Sequence, residues 1–219
     1  MMITTSTIAA GIIGIAVSSA ASQTLEPPSR PEEIPGEGTL KIQPAVGVLM
    51  GQQFVRFERT TLAEVLRAAG RGSIAHHGDA GGSEYFLCYT QLSKPLPVRL
   101  WVISNGEMGG PDHAVTEVIA RRIEAADAAN GGCPSLPRHL QPVALDRGIW
   151  IGTARDELRR KLGRESATRD EAWLVFNFLG TVPGRVHGKA VDFDVTNILE
   201  ARISGGRVEA ISATHITSY

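Results

Sequence analysis

The sequence contains one short pattern twice. The two copies are RTTLAEVLRAAGRG at 59–72 and GTARDELRRKLGRE at 152–165. In the first copy Thr61 precedes Glu64 by three residues, which is the spacing of a capping box at the start of a helix. In the second copy Thr153 and Asp156 stand in the same relation. Because a glycine then ends each apolar-periodic stretch, the pattern predicts two short helices that open two equivalent units.

A second pair of segments repeats at the same distance. When the closing glycines Gly70 and Gly163 are aligned, the copies lie 93 residues apart, and VTEVIARRI at 115–123 then aligns with VEAISATHI at 208–216. Between the helix and this last segment, each unit holds stretches rich in β-branched and aromatic residues, which predict strands. These stretches are EYFLCYT (84–90), RLWVIS (99–104), WLVFNF (173–178) and LEARIS (199–204).

Together these elements predict an α+β fold made of two tandem helix-on-antiparallel-sheet repeats that form one extended sheet. A helix with one apolar stripe needs an apolar surface, and one face of an antiparallel sheet supplies it. We therefore expect helices on one side of the sheet and an open face on the other. The first repeat is predicted over residues 40–135 and the second over 136–219. Residues 180–194 (GTVPGRVHGKAVDFD) are interpreted as a long hairpin loop.

The N-terminal residues predict export. The first 21 residues carry no charge and hold an apolar run from Ile8 to Val17 before a group of small residues, which is typical of a signal peptide. An apolar helix retained in the mature protein is the alternative. Residues 22–39 are rich in proline and glutamate, which predicts a disordered leader. The net charge of −1 disfavours a nucleic-acid partner, and no later stretch has the ~20 apolar residues of a membrane span.

Export makes a disulfide the expected state of the two cysteines. Cys88 and Cys133 are the only cysteines in the sequence, and paired thiols outside the cytoplasm tend to oxidise. The alternative is a reactive thiol, which needs a neighbouring histidine or helix N-terminus that the sequence does not show. We therefore predict a structural disulfide.

One polar loop raises the alternative of catalysis or metal binding. The stretch GSIAHHGDAGGSE contains Ser73, His76, His77 and Asp79, which are residue types of a hydrolytic triad and of a zinc site. Triad members usually come from distant parts of a chain, and a solvated turn is the ordinary outcome for such a stretch. We therefore predict no catalytic residue, no metal and no cofactor. A small periplasmic hydrolase or metal-binding protein that uses this loop is the alternative.

Several segments also resemble a known family. IGTARDELRRKLG at 151–163, followed by a tryptophan-bearing strand and a final V-x-x-I strand, is similar to the BamE/SmpA-like domain. That small domain is shared by a β-barrel assembly lipoprotein and by β-lactamase inhibitory protein, which is a tandem of two such units. VRFERTTLAEVLRAAG at 55–70 matches less well, because Glu58 and Arg59 replace the glycine turn. The resemblance implies a secreted module that binds another protein through the exposed sheet face and adjoining loops.

Aromatic residues on the predicted strands are the candidate interface. Alternation in WLVFNF places Leu174, Phe176 and Phe178 under the helix and Trp173 on the outer face. Tyr85 and Tyr89 share one face of EYFLCYT, whereas Trp101 is predicted to lie in the core. The predicted function is an exported, non-catalytic protein-binding module of the bacterial cell envelope, inhibitor-like or an envelope-assembly accessory. Its predicted location is periplasmic or secreted, and its partner is a protein that the sequence does not name.

Overall fold

Extended strands, rather than helices, make up most of the structure. The computed structural model describes residues 25–28, 40–79, 82–92, 95–110, 112–129, 132–170 and 172–218. In chain order the elements are β1 (Gly47–Met50), β2 (Gln53–Arg56), α1 (Leu62–Ala69), β3 (Ala75–His77), β4 (Glu84–Gln91), β5 (Val98–Asn105), β6 (Glu117–Arg122), β7 (Val143–Leu145), α2 (Arg155–Leu162), β8 (Ala167–Arg169), β9 (Trp173–Val186), β10 (Lys189–Ser204) and β11 (Arg207–Ser218). Short 3₁₀ turns lie at Asp127–Ala129 and Arg138–Leu140.

Eight of the strands form one antiparallel sheet, in the order β3-β4-β5-β6-β11-β10-β9-β8. Its two central strands, β6 and β11, contain the segments that the sequence aligns at an offset of 93 residues. Ile119 lies directly opposite Ser212, which is the residue 93 positions later in the sequence. The two aligned segments are therefore neighbours, and the other strands continue outward from them on both sides.

The predicted α+β fold of two tandem helix-on-antiparallel-sheet repeats is wrong. The structure is mostly β-sheet, and its two helices have eight residues each, against 14 residues in β9 and 16 in β10. An eight-residue helix is about 12 Å long, whereas eight strands at about 4.8 Å spacing extend over more than 30 Å. Two such helices are too short to cover the sheet. A second sheet of three strands, in the order β2-β1-β7, contributes to the same core.

The two predicted helix starts differ in the structure. At α1 the hydroxyl of Thr61 accepts a hydrogen bond from the backbone N–H of Glu64, and the Glu64 carboxylate accepts one from the N–H of Thr61. This confirms the first capping box. At α2 the N-cap is Ala154, which makes no side-chain cap. Thr153 instead accepts a hydrogen bond from the N–H of Trp150 at 3.0 Å, so the second capping box is wrong.

The main hydrophobic core lies between one face of the large sheet, the two helices and the small sheet. The α1 helix buries Leu62 and Val65 there, and the α2 helix buries Leu158 and Leu162. We call the side of the large sheet that faces this core the core face, and the other side the second face. None of the helices among the described residues is long and apolar enough to cross a membrane.

A smaller hydrophobic cluster lies on the second face, and the predicted disulfide is part of it. Cys88 and Cys133 are bonded to each other, which confirms the predicted pair. They pack with buried residues of β4, β5 and β6, among them Trp101, which is 1% exposed. The indole N–H of Trp101 donates a hydrogen bond to the carbonyl of Leu25 at 2.9 Å, and Leu25 packs on the cluster. The structure thus places Leu25, in the predicted leader, against the folded chain.

Residues 22–24 and 29–39 of the predicted leader, and the predicted signal peptide over residues 1–21, lie outside the described residues. The segment interpreted as a long hairpin loop, residues 180–194, instead belongs to the long antiparallel strands β9 and β10. Its turn is only two residues long. His187 and Gly188 both have positive φ, at 48° and 81°, which is the backbone of a tight type I′ hairpin.

Candidate functional site

The second face of the large sheet carries a row of arginines and one tryptophan. Residues opposite each other in an antiparallel pair point to the same face. The register pairs Arg99 with Arg121, Arg121 with Ala210, and Ala210 with Arg202. It then pairs Arg202 with Trp173 and Trp173 with Arg169. We call the following residues, which lie on β5, β6, β10, β9 and β8, the arginine row: Arg99, Arg121, Arg202, Trp173 and Arg169.

At one end of the arginine row, Trp173 lies between two arginines. The guanidinium of Arg169 is 5.5 Å from the centre of the Trp173 ring, and its Nη1 is 3.1 Å from Oε1 of Glu200. On the other side of the tryptophan, Arg202 is exposed, and its Nε is 3.1 Å from Oε1 of Glu209. Trp173 itself is half-buried. The ring is therefore held in place by its neighbours while part of it faces solvent.

At the other end of the row, two arginines lie side by side. Arg99 is only 3% exposed, and its Nη2 donates a hydrogen bond to the backbone carbonyl of Asp127 at 2.6 Å. Arg121 is exposed, and its guanidinium lies 5.3 Å from the Trp101 ring centre. Neither arginine forms an ion pair with a carboxylate in the described part of the chain. Burial, and then the positive charge of Arg121, lower the pKa of Arg99.

A cleft of about 630 Å³ lies beside the middle of the row. Arg121 and Arg202 line it together with Arg122. Its wall also contains three acids, Glu124, Asp127 and Glu209. The cleft thus has both charges: Glu209 pairs with Arg202, and Arg121 and Arg122 share the wall with Glu124 and Asp127.

The structure separates the three aromatic residues of the predicted interface. Trp173 lies in the arginine row, on the second face. Tyr89 is 0% exposed in the main core, where its hydroxyl donates to the carbonyl of Arg71, and burial raises its pKa to about 12. Tyr89 is therefore not available to a partner. Tyr85 lies on the core face of the same strand, half-buried and stacked on His113 at 3.9 Å between ring centres.

The histidine loop does not assemble a triad among the described residues. Nε2 of His76 lies 2.8 Å from the Ser83 hydroxyl, but Asp79 is exposed, and neither a hydrogen bond nor an ion pair joins its carboxylate to His76. His77 points to the other face of β3 and lies 3.7 Å from Glu84, because consecutive residues of a strand alternate. The two histidines therefore cannot ligate one ion together. The described residues contain no group of three histidines, cysteines or acids that could hold a metal.

A second polar cluster, which sequence reasoning missed, joins distant parts of the chain. Glu58 accepts hydrogen bonds from the backbone N–H and the hydroxyl of Thr217, at 2.6 and 2.7 Å, and lies 3.4 Å from Nε2 of His215. The buried Asn197 donates from its amide to Nδ1 of His215 at 2.7 Å and to the carbonyl of Ala45. Both ring nitrogens of His215 thus have partners. Although this cluster borders a cavity of about 360 Å³, the arrangement favours a structural role over proton transfer.

Comparison of the chain with protein-family models, with curated proteins and with solved structures gave no match. The sequence could have indicated that Arg99 and Trp101 share one face of their strand, since they alternate. It could not have indicated that Arg99 lies beside Arg121, because that depends on the register of two strands.

Glu58 makes stability depend on pH. Burial alone would raise the pKa of Glu58, but the hydrogen bonds from His215 and Thr217 outweigh it and lower the pKa below its ordinary value of 4.5. A lowered pKa stabilises the fold above that ordinary value, and the stabilisation disappears as the pH falls through the folded pKa. We expect Glu58→Gln to cost about 1–3 kcal/mol at pH 7 and less at pH 3, which is below the ordinary pKa.

The measurement is urea unfolding of the wild type and of Glu58→Gln at both pH values. Glu107→Gln is the matched control, because Glu107 is exposed, and we expect it to change stability little at either pH. An equal loss of stability for Glu58→Gln at both pH values would show that the charge of Glu58 is not what stabilises the cluster.

Proposed function

We propose that this chain is an exported, non-catalytic protein-binding module of the bacterial cell envelope. We further propose that it binds its partner with the second face of the large sheet. The observation that carries this proposal is the half-buried Trp173, held between Arg169 and Arg202 with part of its ring facing solvent. Tryptophan and arginine are the residues that most often dominate the binding energy of protein interfaces.

Two further observations support the proposal. The disulfide between Cys88 and Cys133 is a bond that persists in oxidising compartments, which favours a periplasmic or secreted location. The sequence resemblance to the BamE/SmpA-like domain favours an inhibitor-like role or a role as an envelope-assembly accessory. A small hydrolase at the histidine loop has one supporting contact, between His76 and Ser83, but no carboxylate among the described residues is bonded to the His76 imidazole to orient it.

The proposal is tested by capture combined with site-specific crosslinking. A photo-crosslinking amino acid placed at Arg202 lies within the proposed surface, whereas one placed at Arg67, exposed on α1, is a matched control away from the second face. We expect crosslinking to a discrete envelope protein from position 202 and not from position 67. Trp173→Ala should abolish that product, because it removes the central anchor.

A second control addresses the alternative function. Replacing both His76 and His77 with alanine should leave capture unchanged, because these residues lie on the outermost strand at the far end of the sheet from Trp173. A crosslink that persists in Trp173→Ala, or one that forms equally from both positions, would contradict binding through this face. Loss of a hydrolytic activity in the histidine variant would favour the enzyme instead.

A further inference from the structure

We infer that the outer edge of β9 binds an extended, uncharged segment of the partner protein, which adds to the large sheet as one more antiparallel strand. This inference rests on the proposed function, because it assigns a second contact to the same protein partner. It is carried by the end of the sheet. There β8 pairs only with Trp173, Leu174 and Val175 of β9, and no described strand lies beside residues 179–186 on that side.

The backbone groups of this edge point away from the sheet. The carbonyl of Val175 accepts a hydrogen bond from the N–H of Ser166, and the N–H of Asn177 donates one to the Ser166 hydroxyl. Ser166 directly precedes β8, so these groups point away from β10. Because β9 and β10 pair without a register shift and backbone groups alternate between the two sides of a strand, every second residue from 179 to 185 also points outward.

A proline at this edge favours a partner's strand over a second copy of the chain. Pro183 has no N–H, so its position can accept a hydrogen bond but cannot donate one. Two copies paired β9 to β9 would bring two such positions into the new ladder, whereas a partner's strand without proline meets only one. The missing donor therefore disfavours self-association, as proline does on other edge strands. Thr181 and Arg185 keep their outward N–H groups.

The opposite edge of the same hairpin differs in its side chains. β11 pairs with β10 only from Asp194 onward, so residues 189–193 also lack a second neighbour among the described strands. That edge carries Lys189 and Asp192, which are exposed, and charged side chains protect an edge from pairing. Residues 179–184 of β9 carry no charge. The β9 edge is therefore the one that accepts an uncharged strand.

The β9 edge also offers apolar surface on both faces of the sheet. On the second face, Leu179 is 51% exposed and shares its strand and face with Trp173, so one partner can contact both. On the core face, Val182 is 38% exposed and lines the cavity of about 360 Å³, and the Phe193 ring lies against Gly184. In strand addition, backbone hydrogen bonds provide affinity and such side-chain surfaces provide specificity.

The probe is a fluorescent eight-residue peptide of alternating threonine and valine, N-methylated at its valines so that only one of its edges can pair. Residues opposite each other in an antiparallel pair share a face, so its threonines lie beside Leu179 and Thr181 and its valines on the core face. Fluorescence anisotropy measures its binding to the full chain. The same peptide N-methylated at every residue keeps the side chains and loses all N–H donors. We expect it to bind at least about five-fold more weakly.

Backbone variants of the protein test the same hydrogen bonds from the other side. Pro183→Thr supplies the missing N–H, and we expect it to strengthen binding about three-fold or more. Thr181→Pro removes an outward donor and should weaken binding by a similar factor. Ala190→Pro is the matched control, because it removes an outward N–H from the opposite edge of the hairpin, and it should leave binding unchanged. Thermal unfolding checks that both proline variants are folded, and Pro183→Thr decides the test if Thr181→Pro is not.

Equal binding of the two peptides, or no gain in Pro183→Thr, would overturn the inference. A wild-type dimer in analytical ultracentrifugation that Thr181→Pro abolishes would also overturn it, because a second copy would then occupy the edge. If neither peptide binds while capture still depends on Trp173, the inference fails and the proposed function stands. If the peptide binds as expected while capture is independent of Trp173, the edge is a contact and the second face is not.

Discussion

Replacing both Cys88 and Cys133 with alanine should lower the free energy of unfolding by about 4 kcal/mol. The bond joins residues that are 45 positions apart, and closing a loop of that length removes conformational entropy from the unfolded chain. The bond also holds the chain after Cys133 against β4. There Thr90 donates a hydrogen bond from its N–H to the carbonyl of Pro134 and accepts one at its own carbonyl from Leu136, both at 2.8 Å.

The measurement is urea unfolding at neutral pH, followed by circular dichroism. The wild type in the presence of a reducing agent is the natural control, because it loses the bond without any change of sequence. We expect the reduced wild type and the double variant to unfold at similar urea concentrations, both well below that of the oxidised wild type. If the double variant unfolds together with the oxidised wild type, the bond does not contribute the stability that its loop length predicts.

Trp101→Ala should cost about 3–5 kcal/mol of stability, because it leaves a large cavity in a packed cluster. Trp101 is among the largest fully buried side chains, and it packs with the disulfide on the second face. Its indole also holds Leu25 through a hydrogen bond and supports the guanidinium of Arg121. Trp101→Phe should cost less, since it keeps most of the apolar volume and loses the N–H donor.

Trp173→Ala is the matched control, because it makes the same substitution on the same face at a half-buried position. We expect it to cost about 1 kcal/mol, in the range of ordinary point mutations. Thermal unfolding of the two variants side by side is the measurement. A large loss of stability in Trp173→Ala would show that Trp173 is a structural residue. That variant could then not be used to test the interface. Equal, small losses would show that the Trp101 cluster does not stabilise the fold.

Local sequence signals predicted part of this structure correctly. The capping box at Thr61 depends on residues three positions apart, so it is visible without any knowledge of the fold. The disulfide was predictable because only two cysteines exist. The capping box involves residues that are close in the sequence, and the disulfide involves the only two cysteines.

The fold class was not predictable from the same signals. The two glycine-terminated patterns do form helices, but each helix has only eight residues. The residues 180–194, rich in glycine and charge, form strands because β9 and β10 pair along their whole length. That pairing joins two strands, so it is not visible in the segment alone.

The candidate site also combines features that the sequence determines with features that only the fold determines. The amino-acid order alone determined which residues of each strand share a face, because side chains alternate along any extended backbone. Only the tertiary structure decided that Arg99, Arg121 and Trp173 lie in one row, since these residues come from three strands separated by many positions in the chain. Their proximity depends on which strands adjoin and on the register between them. A shift of one residue in any pairing would turn one side chain of the row to the opposite face.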